Sequence, residues 1–99
     1  MGVVRPLISW LTRVDDLLLR FMSQYPSLAL PPKVWYHHLN KEVEISYTQV
    51  KRRLKKLSQT DLVNQNDDLG NGYQITDIGM KYVENQLSKE TLEEMNPDK

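Results

Sequence analysis

Ser46 to Val63 reads SYTQVKRRLKKLSQTDLV, a segment that superimposes an apolar stripe on five clustered cations. Val50, Leu54 and Leu57 recur at i, i+4 and i+7, the spacing of one helix face. Ser46 and Gln49 make the S-x-x-Q pattern of a capping box, in which two residues satisfy backbone donors that the first helical turn leaves orphaned. The helix is therefore predicted to start at Tyr47. At about 100° per residue, Thr48, Arg52, Lys55 and Lys56 fall roughly opposite Val50, with Gln49 and Lys51 on the flanks. One side packs and the other is a donor-rich, cationic surface. Lys and Arg neutralise phosphates and release counterions, while Arg, Gln and Thr can address base edges in the major groove. A Lys/Arg run can equally be the solvated face of a helix that binds nothing, so the flanking segments have to decide.

Downstream, Leu62 and Val63, extended to Asn64–Asn66, read as a strand. Asp67 to Gly72 (DDLGNG) is dense in turn formers, and Tyr73 to Thr76 reads as a returning strand. Upstream, Pro31-Pro32 enters a helix through the preference of proline for the first helical position, and that helix is predicted to run from about Pro32 to Leu39. Helix, helix, strand, turn, strand is the order of a winged helix-turn-helix. The expected class is mainly α with a small β-hairpin (α+β), with an added C-terminal helix.

Ninety-nine residues suit one such domain spanning 1–99, large enough for a modest core without metal or disulfide support. The absence of cysteine excludes disulfides, thiol nucleophiles and cysteine-based zinc sites. No apolar run approaches the roughly 20 residues that span a bilayer, and the N-terminus lacks a signal-peptide pattern. No membrane association and a soluble cytoplasmic location are the default expectations. The net charge of zero hides a division: residues 1–56 hold ten Lys/Arg against four Asp/Glu, and residues 57–99 hold three against nine. The positive excess sits on the candidate recognition helix and its N-terminal neighbours, where a polyanion would be met.

Residues 1–11 carry Val3, Val4, Leu7, Ile8, Trp10 and Leu11, too apolar for a free tail, so this segment is expected to be docked. Thr12 is a plausible N-cap with Asp15 and Asp16 in the first turn. Val14, Leu17, Leu18, Phe21 and Met22 then form the stripe of a first helix that Tyr25-Pro26 ends. Leu28 to Leu30 is a short extended link. In the second helix Val34, Trp35 and Leu39 are the expected buried positions. His37 and His38 are adjacent and point in different directions, and no carboxylate at i+3 or i+4 completes a ligand set. No metal site is expected; a phosphate contact or simple exposure accounts for the pair. Asn40 to Ile45 is a longer connection than the tightest helix-turn-helix turns.

After the wing, Thr76 or Asp77 caps a last helix predicted over 77–95, with Ile78, Tyr82, Val83 and Leu87 as its apolar stripe. A helix that long exceeds what one small core needs. It is a candidate homodimer interface, which would set two recognition helices into successive major grooves about 34–36 Å apart; packing against Trp10 and Leu11 within the chain is the alternative. From Glu90 onward the chain is polar and acidic and reads as a fraying end, with 96–99 as a tail.

Four phrases carry a resemblance across nearly the whole chain: WLTRVDD (Trp10 to Asp16), LPPKVWYHHLN (Leu30 to Asn40), ISYTQVKRRLKKL (Ile45 to Leu57) and GYQITDIGMKYVENQL (Gly72 to Leu87). In order and spacing the chain resembles the small haloarchaeal winged-helix proteins grouped with the phage phi-H repressor. The resemblance implies a winged-helix DNA-binding fold and a transcriptional regulator, with no cofactor. Two features depart from it. Asp61 stands where such domains usually carry glycine, so the exit from the recognition helix must find another residue for a left-handed conformation or avoid one. The wing is acidic at Asp67 and Asp68, where a phosphate-gripping tip would carry Lys or Arg. The neutral overall charge also differs from the strong acidity common among proteins of extreme halophiles.

The expected function is sequence-specific binding of double-stranded DNA by a transcriptional regulator of repressor type. Tyr47, Thr48, Gln49, Lys51, Arg52 and Lys55 would face the groove, with Lys56 on the backbone. The alternative is a winged helix used for protein-protein interaction, its acidic C-terminal half docking a basic partner. No enzyme is expected, because neither the histidine pair nor the scattered acids make a nucleophile-base or paired-carboxylate arrangement.

Overall fold

The computed structural model describes residues 8–66 and 72–98. Its elements are α1 (Arg13–Met22), α2 (Pro32–Leu39), α3 (Tyr47–Ser58), β1 (Val63–Asn66), β2 (Gly72–Ile75), α4 (Asp77–Val83) and α5 (Lys89–Glu94). This is the α+β winged helix-turn-helix read from the chain. The expected turn at Asp67 and Asp68, like Met1 to Leu7, lies outside the described residues.

Local chemistry sets the helix boundaries. Thr12 caps α1 reciprocally with Asp15: Thr12 Oγ1 accepts the Asp15 N–H at 3.3 Å, and Asp15 Oδ2 accepts the Thr12 N–H at 2.8 Å. Ser46 and Gln49 repeat that exchange at the start of α3, at 3.1 and 3.3 Å. Pro32 opens α2, where its missing N–H costs nothing. α3 leaves without a left-handed residue at Asp61, since Asn85 is the one non-glycine residue at positive φ among those described. Thr60 makes the exit instead, its hydroxyl donating to Leu57 O at 2.6 Å and accepting the Leu62 N–H at 3.1 Å.

β1 and β2 pair antiparallel, with Val63 opposite Ile75 and Asn66 opposite Gly72. The link after α1 adds a third rung: Leu30 and Tyr73 exchange N–H···O bonds of 3.2 and 2.8 Å. Leu18, Leu19, Met22, Trp35, Val50, Leu54, Leu57, Leu62 and Val63 fill the centre of the core, each contributing about 1.5–3 kcal/mol through burial. The Trp35 indole N–H, which would be costly unsatisfied there, donates to Tyr73 O at 3.0 Å. The stripe of α1 is rotated from the expected one: Leu19 is buried and Leu17 only half-buried. Val34 is likewise half-buried, while Trp35 and Leu39 are buried as expected.

The C-terminal region differs most from expectation. Instead of one helix over 77–95 the chain forms α4 and α5, separated at Asn85, whose φ is 61°. Gln86 N–H donates to Lys81 O at 2.8 Å and Asn85 N–H to Tyr82 O at 3.0 Å, the paired bonds of a Schellman cap with asparagine in the left-handed position. Ser88 then restarts the helix by accepting the Thr91 N–H at 3.1 Å. The end expected to fray is docked: Leu92 is buried, and its carbonyl accepts the Trp10 indole N–H at 2.7 Å. Ser9 N–H also donates to the Glu93 carboxylate, at 3.2 Å to Oε2. Residues 8–11 are thus held by the far end of the chain. Of the expected apolar stripe, Tyr82 is buried with its hydroxyl donating to Asp16 Oδ1 at 2.7 Å, while Ile78, Val83 and Leu87 pack half-buried against the core.

Candidate nucleic-acid interface

α3 is built to be held from behind. Val50, Leu54 and Leu57 are buried on its inner face, and Arg53 extends that face with charge. Its guanidinium grips Asp15 bidentately, Nε to Oδ1 at 2.8 Å and Nη2 to Oδ2 at 2.7 Å, and Nη2 also donates to Trp10 O at 3.2 Å. Asp15 has no solvent exposure. The hydrogen bond to Asp15 raises the Arg53 pKa, against the opposing effect of burial, so the guanidinium keeps its charge. Of the five clustered cations Arg53 is therefore the one turned into the fold. Sequence reading counted it among the five cations and left it out of the groove-facing set without giving it a partner; its position between Val50 and Leu57, beside Leu54, marked it as a flank of the packed face.

The remaining residues singled out from the sequence lie on the outer side. Thr48, Lys51, Arg52, Lys55 and Lys56 come together with Gln59 around one shallow hollow of about 420 Å³. Gln59, the C-cap residue of α3, is an addition that the helical wheel could not supply because it lies past the last turn. Lys51, Arg52 and Lys55 are exposed and make no ion pair with any described residue. Lys56 differs: its ammonium pairs with the carboxylate of Asp98, brought alongside by the docked C-terminal segment. Gln49 is exposed but gives its Oε1 to the Ser46 cap, which leaves its amide N–H groups for any partner. Tyr47 is exposed and steadied by Tyr36 of α2, the rings meeting edge-on with centroids 5.7 Å apart.

The outcome is a cationic helix face of free donors, aimed outward by a packed and salt-bridged back. Phosphate neutralisation and base-edge hydrogen bonding are the chemistry such a face can perform. Among the described residues no three His, Asp or Glu side chains cluster as metal ligands, and no helix is long and apolar enough to cross a membrane. No curated protein and no solved structure matches the chain. A family model does, over residues 4–95, and with the helix-turn-helix, the hairpin and the cationic α3 in view it agrees with the geometry: the chain belongs to the winged helix-turn-helix phage repressor family.

Proposed function

We propose that this DNA-binding regulator is a repressor that recognises a specific double-stranded sequence by placing α3 in the major groove. The observation that carries the reading is the unpaired outer face of α3, with Lys51, Arg52 and Lys55 exposed while Arg53 and the apolar stripe fix the opposite side. In this reading Arg52, together with Thr48 and the free amide of Gln49, addresses base edges. Tyr47, Lys51 and Lys55 border the groove and Lys56 meets a phosphate, which takes the place of Asp98.

Selection of bound fragments from random duplex DNA tests specificity, and substitutions assign roles within it. Arg52→Ala should cost about 1–3 kcal/mol at the selected site and relax one base position. Lys56→Ala should weaken binding to all sequences alike and flatten the salt dependence by about one unit. Unchanged affinity of both variants for every duplex would remove α3 from the interface.

Pairing of two copies through the C-terminal region belongs to the same proposal. It is supported by the half-buried Ile78, Val83 and Leu87 at the surface of α4 and the turn that follows. Two linked half-sites bind with an effective-concentration advantage that one lacks, so Leu87→Glu should leave a folded monomer that binds its operator much more weakly. A wild-type protein that sediments as a monomer at operator-saturating concentrations, alone and on DNA, would assign those side chains to intrachain packing.

A further inference from the structure

Between α1 and α2 lies a second hollow, of about 190 Å³, lined by Phe21, Tyr25, Leu28, Leu30, Trp35 and His38. Its floor is the Trp35 ring, 1% exposed, and its mouth is formed by Tyr25 and Leu28, exposed to 44% and 42%. Aromatic planes surround Phe21. Tyr25 is tilted at 60° with centroids 5.6 Å apart, Trp35 stands edge-on at 84° and 5.9 Å, and His38 lies nearly parallel at 29° and 6.4 Å. Large apolar side chains left this open to water are a cost to the free protein that a ligand would remove.

The walls are fixed before any ligand arrives. Leu28 N–H donates to Tyr25 O at 3.1 Å, Leu30 is bonded to Tyr73 on both sides, and the Gln74 side chain donates to Pro26 O at 2.9 Å. Preorganised walls lower the entropic cost of binding. The chemistry inside is almost wholly apolar, since the Trp35 N–H is committed to Tyr73 O. Besides the Tyr25 hydroxyl at the exposed mouth, His38 is the exception: its imidazole stacks on Phe21 and makes no hydrogen bond to a described residue, so its nitrogens can meet one polar group. Size narrows the ligand further, because an apolar cavity of about 150 Å³ accepts benzene and this one has room for a ring with a single substituent.

We propose that this cleft binds a monocyclic aromatic compound bearing one hydroxyl group, a phenol, with its ring against Phe21 and Trp35 and its oxygen at His38. α2 carries Trp35 and His38 into the cleft and Tyr36 onto Tyr47 of α3, so occupancy is placed to bias the recognition helix. That regulatory consequence rests on the DNA-binding function proposed above. Ligand binding itself does not, and it is measured without DNA so that either can fail alone.

The experiment is a fluorine NMR titration of 4-fluorophenol and of fluorobenzene against the full chain. 4-Fluorophenol should give a saturable shift with a Kd of about 0.1–3 mM, the range expected of so small a ligand. Leu28→Trp, which fills the mouth, should abolish the shift, and Tyr25→Ala, which removes a wall, should weaken binding at least about fivefold. His38→Phe, which keeps a ring beside Phe21 and removes the ring nitrogens, should weaken 4-fluorophenol about fivefold to tenfold while changing fluorobenzene little. A non-saturating shift for the wild type, or affinity untouched by both mouth variants, would overturn the site. Equal affinity for the two probes would overturn the phenol. Dimers that Leu28→Trp dissociates and 4-fluorophenol does not would give the cleft to a second copy of the chain instead.

Discussion

Asp15 is a carboxylate without solvent exposure, and three donors keep it tolerable: two from Arg53 and the Thr12 N–H. Its partner is less enclosed, the Arg53 side chain keeping 18% exposure. That asymmetry decides which half of the pair is harder to lose. Arg53→Met strands a buried charge with one remaining donor and should cost about 3–5 kcal/mol of stability. Asp15→Asn leaves a cation that can turn toward water and keeps an acceptor for Thr12, so about 1–2 kcal/mol is expected. Urea denaturation of the two variants measures the difference; equal losses would mean that burial does not control the pair. The bond joins residues 38 apart. No local pattern announces it, which is why Asp15 read only as a first-turn acid and Arg53 as one more cation of α3.

α4 crosses the hairpin with no space to spare. A Cβ at Gly79 would lie 2.3 Å from Leu62 O and 2.5 Å from Ile75 Cγ1. Alanine gains about 1 kcal/mol of helix propensity over glycine, but the obstacle is a backbone oxygen that cannot swing aside, and overpacking costs about 1–3 kcal/mol or more. We therefore expect Gly79→Ala to lower the Tm; a Tm equal to or above that of the wild type would show that the crossing can widen. α5 depends on a different support. Trp10→Phe keeps the aromatic bulk but deprives Leu92 O of its donor, at about 1–3 kcal/mol, and amide exchange across Lys89–Glu94 should accelerate ahead of exchange in α3. Unchanged protection there would show that apolar contacts alone hold α5. Elements whose limits are written in neighbouring residues were legible in the sequence: the Ser46/Gln49 box, the Thr12 cap, the proline entry to α2 and the two wing strands. The outer face of α3 was legible too, because helical periodicity alone places it. The break between α4 and α5 was not, because Ile78, Tyr82, Val83 and Leu87 continue a helical period across it. Asn85 and Ser88 carried the stop and restart signals beneath that stronger pattern.

The molecule is neutral overall and divided in charge, so its net charge says little about how it meets a polyanion. What counts is how many phosphates its cationic face neutralises. With Lys51, Arg52, Lys55 and Lys56 outward and Arg53 committed inward, we predict that log K for DNA falls against log salt with a slope of about −3 to −4 per copy. A slope near zero would place the interface elsewhere. Arg53 also has a geometric consequence. It is the seventh of the twelve residues of α3, so a rod about 18 Å long is pinned close to its midpoint by a planar two-bond clamp. A tilt of about 10° on that pivot would carry either end some 1.6 Å, about half the 3.4 Å step between successive nucleotides. Arg53→Lys preserves the charge and gives up the planar fork, which turns a hinge with a stop into a swivel. Such a variant should still grip DNA but point at it loosely, losing its preference among related sequences before it loses its hold.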